Sequence, residues 1–328
     1  MLWQVESVCS VNPKSMNKKT FLSLALAAAL MGGFLADSIA KDYSILATSW
    51  TIKLNSAPSA ESTDIDQSAP DWSPLFAGID FRKAESDAPL QKVCVLRIDT
   101  EQEGLRFYTN GRYQDFKDTE RETERTTTVD FLTENELNVA VNANFYSPFN
   151  AETRVSRGPS NVIGLAVSDG VLVSTADNRY PSFTVSFGGV PEIRELGPED
   201  SIEGIHTAVA GNRIVLREGK VVEQSDKAIH PRTAVGISRD RRYVYLMTID
   251  GRQPTFSIGA SYEDVGRWML EFGAWEALNL DGGGSTTMVT REALGKAKVL
   301  NLPIGNGNIP GSLRHNANHL GVAIKKGK

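Results

Sequence analysis

Apolar and polar positions along this chain fall into short β-type runs separated by turn signals. Lys92-Val93-Cys94-Val95-Leu96-Arg97-Ile98 is an apolar run of strand length. Residues 164–173 read as a hairpin with Asp169-Gly170 at its tip, and 214–222 as a second. Residues 234–238 and 243–249 form a third around a charged turn. Helical spacing is clear over 261–272, where Val265, Trp268, Met269 and Phe272 recur on one stripe. Ser261 can cap that helix, and Glu263 and Asp264 suit its first turn. A second helix is predicted near 128–137. No repeat of fixed period interrupts the pattern. It predicts an α+β (mixed α/β) fold, a mixed multi-stranded sheet with a few packed helices.

The N-terminal part follows a different pattern. Lys18-Lys19 precede an apolar run at 21–31, and Ser38-Ile39-Ala40 follows. A charged start, an apolar centre and a small-x-small site read as a secretory signal cleaved after Ala40, with translation starting at Met16. An uncleaved anchor is the alternative, although the run is short for a membrane span. Residues 55–74 are rich in Ser, Ala, Pro and Asp, so 41–77 read as an arm joining the signal to a catalytic domain over 78–328. The expected location is periplasmic or secreted, with no membrane span after cleavage. Cleavage would remove Cys9 and leave Cys94 without a disulfide partner, inside an apolar strand where a buried inert thiol is expected. The formal charge of −5 speaks against a nucleic-acid partner. The mixed-sign run at 115–125 reads as a solvated surface segment.

One stretch stands apart from this sheet-like pattern. In Leu278-Asn279-Leu280-Asp281-Gly282-Gly283-Gly284-Ser285-Thr286-Thr287-Met288-Val289 an apolar run meets an acid, three glycines follow, and a β-branched run leaves. Consecutive glycines are entropically costly and suit places where only bare backbone fits. Their N–H groups can form a nest for an anion, with the Asp281 carboxylate beside it. The stretch also reads as a plain hairpin turn that Asp281 caps. It is neither a Walker A loop, since no Lys follows, nor a dinucleotide fingerprint, since a strand-like run follows instead of a helix.

Asn279 to Thr287 resembles the signature of the phosphodiester glycosidase family. Further segments agree in order: Asn142-Ala143-Asn144-Phe145, Arg232-Thr233-Ala234-Val235-Gly236, Asp250-Gly251-Arg252, and a closing segment from Arg314 through Asn316 to Val322. His315 and His319 depart from the family's closing pattern. The resemblance spans about residues 90–325. It implies one catalytic domain that hydrolyses the sugar C1–O–P bond of a phosphodiester.

That chemistry assigns expected roles. Phosphate is a good leaving group, so neutralising its charge should matter more than protonating it. Arg232 and Arg314 are the expected phosphate clamp, since a guanidinium fork matches phosphate oxygens. The backbone of Gly282, Gly283, Gly284 and Ser285 would complete the cradle. Asp281 is the expected catalytic carboxylate, as base or nucleophile, and Asp250 the second one, although Asp-Gly is also a common turn pair. Asn142 and Asn144 share one face of a strand and, with Asn316, are expected to bind substrate. Tyr146 and Trp275 could stack on a sugar, and His230 could move a proton. No cofactor is expected, and no zinc motif is present; a divalent cation between Asp281 and Asp250 stays open. The expected partner is a phosphodiester-linked glycan. Two other readings remain: a metal-dependent phosphodiesterase acting on the same substrates, and a non-catalytic envelope protein that binds acidic glycans.

Overall fold

A computed structural model describes residues 72–113, 121–292 and 295–325. The export signal, most of the arm and the first part of the 115–125 run lie outside the described residues. The last residues assigned to the arm are already part of a sheet, because Ser73–Phe76 pairs with Ile79–Asp87.

The apolar runs are central strands buried on both faces. The longest sheet has eight strands, in spatial order Ser73–Phe76, Ile79–Asp87, Leu90–Asp99, Tyr243–Ile249, Arg232–Ile237, Glu276–Asn279, Arg213–Arg217 and Lys220–Val221. Side chains alternate across it. Val93, Val95, Ala234 and Met247 face one cluster, together with Val265 and Met269 of a helix. Cys94, Leu96, Val235 and Leu246 face another, against strands of two further sheets. One of these sheets runs Ala297–Val299, Met288–Arg291, Val139–Asn142, His319–Ile324 and Leu105–Thr109. The other runs Val171–Ser174, Ala166–Ser168, Ile205–Ala210, Ser182–Ser186 and Pro191–Arg194. A small sheet of His315–Asn316, Thr123–Thr127, Gly158–Val162 and Tyr146–Ser147 completes the set.

Every strand pairing among the described residues is antiparallel. This corrects the expected mixed sheet. Continuous apolar runs are usual in parallel sheets, where both faces are covered. Here the same burial comes from stacking sheet on sheet and helix on sheet. The fold is mainly β with few helices, and α+β fits it only loosely.

Two α-helices are described. The first, α1 (Thr128–Glu134), starts at a capping box between Thr127 and Asp130 and stops short of the predicted residue 137. It packs Phe131 and Leu132 on the five-stranded sheet that contains Val139–Asn142. The second, α2 (Tyr262–Glu271), starts at the expected Ser261 cap, reciprocated by Asp264.

Strand direction decides where the chemistry falls. Ala234 pairs with Asn279 and Arg232 with Ile249, so three neighbouring strands have ends on the same sheet edge. Arg232 opens one strand there, Asp250-Gly251-Arg252 follows the second, and Asp281 follows the third.

Cys94 is buried, and burial pushes its thiol up to about 12. A Cys9→Ser protein should therefore show no fast-reacting thiol in a native aromatic-disulfide titration. One equivalent should appear on unfolding.

Candidate active site

The segment from Leu280 to Thr287 carries the chain from the long sheet into the neighbouring sheet. Its first residues are held from both sides. Leu280 N–H donates to Thr233 O (2.8 Å), and Asp281 N–H to Ala143 O (2.8 Å). The buried Asn142 amide joins the pieces. Its Nδ2 donates to Asp281 O (2.6 Å), while its Oδ1 accepts from Thr233 Oγ1 (2.7 Å) and Thr287 N (3.1 Å).

Asp281 thereby opens onto a cavity of about 540 Å³. The wall also carries Arg154, Arg232, Arg252, Arg314, His230, Tyr146, Phe149, Tyr262 and the three glycines. Asp281 is the only carboxylate among these lining residues. Protein atoms crowd it on all sides but the cavity. Burial raises its pKa to about 6, against the opposing pull of the Ser285 hydroxyl, Arg314 and the Gly282 N–H.

Most N–H donors of the glycine turn meet protein acceptors. The N–H of Gly282 donates to Asp281 Oδ1 (2.8 Å) and that of Gly283 to Pro231 O (2.8 Å). The N–H of Ser285 donates to Gly282 O (3.1 Å). The N–H groups of Gly282, Gly283 and Ser285 are thus engaged by the protein itself around the tight 3₁₀ turn Gly283–Ser285. Gly283 supplies a left-handed φ of 63°. Gly284 supplies room: a Cβ there would lie 2.2 Å from Arg314 Nη2. The glycines let guanidinium groups approach the backbone.

Arg314 is held by Gly305 O (3.2 Å), by Ser285 Oγ (3.3 Å) and over the Phe149 ring (4.9 Å). Burial lowers its pKa, and Asp281 opposes that shift. Arg232 lies over the Tyr262 ring at 3.9 Å and gives Nε to Ala260 O (2.9 Å) and Nη2 to Ala228 O (2.7 Å). Two of its three nitrogens are therefore engaged, so it offers charge and one edge instead of a free fork. Arg252 stands on the wall in a left-handed backbone conformation (φ 56°), costly for a non-glycine residue. Its Nη2 lies 3.3 Å from His230 Nδ1. Because Arg252 only donates, Nδ1 is the acceptor and the ring proton sits on Nε2. Burial, then Arg232 and Arg252, lower the His230 pKa, so the ring is neutral at pH 7.

The other expected site residues lie elsewhere. Asp250 is buried and does not line this cavity. Its oxygens accept from Asn301 Nδ2 (2.9 Å) and from Leu302 N (3.1 and 3.0 Å). It anchors the start of the loop that carries Gly307, Asn308 and Arg314 to the wall, and burial raises its pKa. The carboxylate pair that could have held a divalent cation is not formed. Asn142 points into the scaffold, as described. Asn144 donates to Ile163 O and Leu165 O (3.1 Å each) and accepts from Asn318 Nδ2 (2.9 Å). Asn316 is buried beside Thr126, off the cavity wall. The Asn142 and Asn144 amides are framework, because buried strands next to irregular loops leave backbone groups that need partners, whereas both amide atoms of Asn316 are buried without one. Trp275 packs against Gly219 and Arg239 instead of a ligand cavity. Tyr146 and His230 do line the cavity.

Sequence reasoning missed Arg154, Arg252, Phe149 and Tyr262 as wall residues. Arg252 belongs to the Asp250-Gly251-Arg252 segment, whose order in the chain is the signal for it. Arg154 sits in a turn without any local signal.

By family the chain is a hydrolase of glycosidase type acting on phosphodiesters. The profile of the phosphodiester glycosidase family matches residues 135–323, and the chain belongs to that family. Among solved structures it is similar to the catalytic domain of zebrafish N-acetylglucosamine-1-phosphodiester alpha-N-acetylglucosaminidase, auto-inhibited by its pro-peptide. That match has a TM-score of 0.57 and 19% identity, and covers 79% of this chain and 85% of that one. A hypothetical protein from Synechocystis matches with a TM-score of 0.57 and 14% identity, covering 79% of this chain and 64% of that one. A putative exported protein from Burkholderia pseudomallei matches with a TM-score of 0.51 and 17% identity, covering 71% and 74%. No curated protein sequence matches the chain.

Two outcomes are expected. Gly284→Ala should displace Arg314 and weaken binding of inorganic phosphate by about tenfold or more, read by calorimetry, since a charge-assisted contact is lost. Asp281→Asn should raise the melting temperature at pH 7. The native pKa near 6 lies above the ordinary aspartate value of 3.8, so the native state loses stability as pH rises through that interval. A neutral amide avoids that loss, and its advantage should shrink on going from pH 7 towards pH 4.

Proposed function

We propose that this protein is an exported hydrolase that cleaves the sugar C1–O–phosphate bond of sugar-1-phosphodiesters in glycans, releasing free sugar and a phosphomonoester. The observation that carries the reading is a single carboxylate, Asp281, facing guanidinium groups across one cavity. A phosphodiester fits that polarity. Its anion would lie towards Arg314, Arg252 and the free edge of Arg232, which places the sugar carbon near Asp281.

One carboxylate is enough for this bond. The phosphate leaves as an anion, so the acid that an ordinary glycosidase supplies is replaced by positive charge that stabilises the departing oxygen. Asp281 acts at C1, either bonding to the carbon or taking a proton from the attacking water. Its raised pKa makes it a better base than an exposed aspartate and leaves it ionised at neutral pH. His230, whose Nδ1 is taken by Arg252, offers the Nε2 proton as a hydrogen-bond donor, while Tyr146 and Phe149 offer ring faces to a sugar. The zebrafish relative's name, which specifies an N-acetylglucosamine-1-phosphodiester, supports the same substrate class. Export rests on the N-terminal pattern of charge, apolar run and small residues. No helix among the described residues is long and apolar enough to cross a membrane.

The test is phosphorus NMR of a panel of sugar-1-phosphodiesters turned over in water enriched in heavy oxygen. Unlabelled phosphomonoester with labelled sugar is expected, and Asp281→Asn should lower turnover by at least about a thousandfold, as for other essential catalytic groups. Label on the phosphate would mean attack at phosphorus, the phosphodiesterase outcome. Binding without turnover, unchanged in Asp281→Asn, would mean a glycan-binding protein.

A further inference from the structure

We infer that the cavity takes a substrate carrying a second anionic group close to the phosphodiester, and that Arg154 receives it. The inference rests on the proposed reaction and starts from its charge balance. A phosphodiester has one negative charge, and the phosphomonoester it releases approaches two at neutral pH. Arg232, Arg252 and Arg314, less the Asp281 carboxylate, supply a balance of two positive charges. They match the product phosphate without help. Arg154 is the remaining cation on the same wall.

Of the four arginines on the wall, Arg154 is the one not engaged by the protein, whereas Arg232, Arg252 and Arg314 all have partners. Its side chain makes no hydrogen bond or ion pair among the described residues, and its Nε is buried without a partner. The buried Arg125 nearby shows the contrast, with bonds to Thr153 O (3.1 Å), Pro159 O (2.6 Å) and Ser160 Oγ (2.8 Å). The backbone under Arg154 is fixed. Asn150 Oδ1 accepts from the N–H groups of Glu152 and Thr153 (2.9 Å each), and Arg154 O accepts from His315 N (3.0 Å). Its charge acts on Arg314 and lowers that group's pKa, so the two cations share one field. A cation held beside another without a counter-ion is destabilising unless a ligand supplies the missing charge. The fitting ligand class is a sugar phosphodiester whose own structure bears a further phosphate or carboxylate one short linker away.

Three probes separate the sources of that charge: propyl phosphate, propane-1,3-diol bisphosphate and 3-(phosphonooxy)propanoate. Each would be titrated calorimetrically into the full-length protein. Both doubly functional probes are expected to bind on the order of tenfold more tightly than propyl phosphate. The advantage should shrink as salt rises. Arg154→Gln should remove most of the ratio, and Arg154→Lys should keep part of it, with melting curves read beside each. A gain for the bisphosphate alone would assign the second group as phosphate. Equal binding of all three probes to the native protein would overturn the inference without any variant. A ratio that survives Arg154→Gln would overturn it as well. Turnover is a separate readout: loss of the ratio with turnover intact removes only this subsite, whereas an intact ratio without turnover removes the glycosidase reading.

Discussion

The amide of Asn142 holds this site together. It lies at the end of one sheet, yet it bonds a threonine hydroxyl of the long sheet, the backbone after the glycine turn and the carbonyl of Asp281. Without it, three polar groups would be buried without partners, each at a cost of about 1–3 kcal/mol. The consequence is positional. Two sheets meet at a fixed separation, and the loop between them can follow only one path. Asp281 is therefore aimed by a rigid framework, although it sits in a loop. Asn144 and Asn318 repeat the device one step further on, tying strand to loop through an amide pair.

The electrostatics follow from that rigidity. Burial and cationic neighbours act on Asp281 in opposite directions, and burial wins, leaving its pKa at about 6. Had Arg314 been in direct ion-pair contact, the carboxylate would be held low and its basicity lost. The turn prevents this: Ser285 lies between them, bonded to Arg314 and interacting with Asp281. The acid and the cation share a cavity without neutralising each other. A site arranged this way can act on a substrate whose anion and reacting carbon are adjacent but distinct.

Much of the frame was legible in the sequence. The capped helix at Ser261, the paired strands at 234–249 and the anchoring of Cys94 in a strand follow from period and capping chemistry, which are local. The sheet direction was not legible, because a run buried on both faces looks alike in parallel and antiparallel sheets. Asp281, Arg232 and Arg314, singled out by their place in an ordered set of segments, do share the cavity wall. Asn142, Asn144 and Asp250, read in the sequence as substrate-binding and catalytic residues, bond the scaffold instead of opening onto the cavity. A buried polar residue can satisfy a ligand or a neighbouring backbone, and sequence does not distinguish the two. Arg154 and Phe149 had no local signal, since their relevance arises only when the 149–154 turn is brought beside residue 314.

The three glycines show how one sequence feature can admit two physical explanations. Bare backbone can present N–H donors to an anion, or it can make space for a side chain that binds the anion instead. The hydrogen bonds decide between them. The donors of Gly282, Gly283 and Ser285 are engaged within the turn and its neighbour Pro231, and a methyl group at residue 284 would occupy the position of Arg314. The turn works by permitting close approach. A guanidinium against bare backbone brings a full charge where amide dipoles would bring partial ones. For a reaction whose main demand is neutralising a departing phosphate, full charges held by a rigid turn provide the stronger stabilisation.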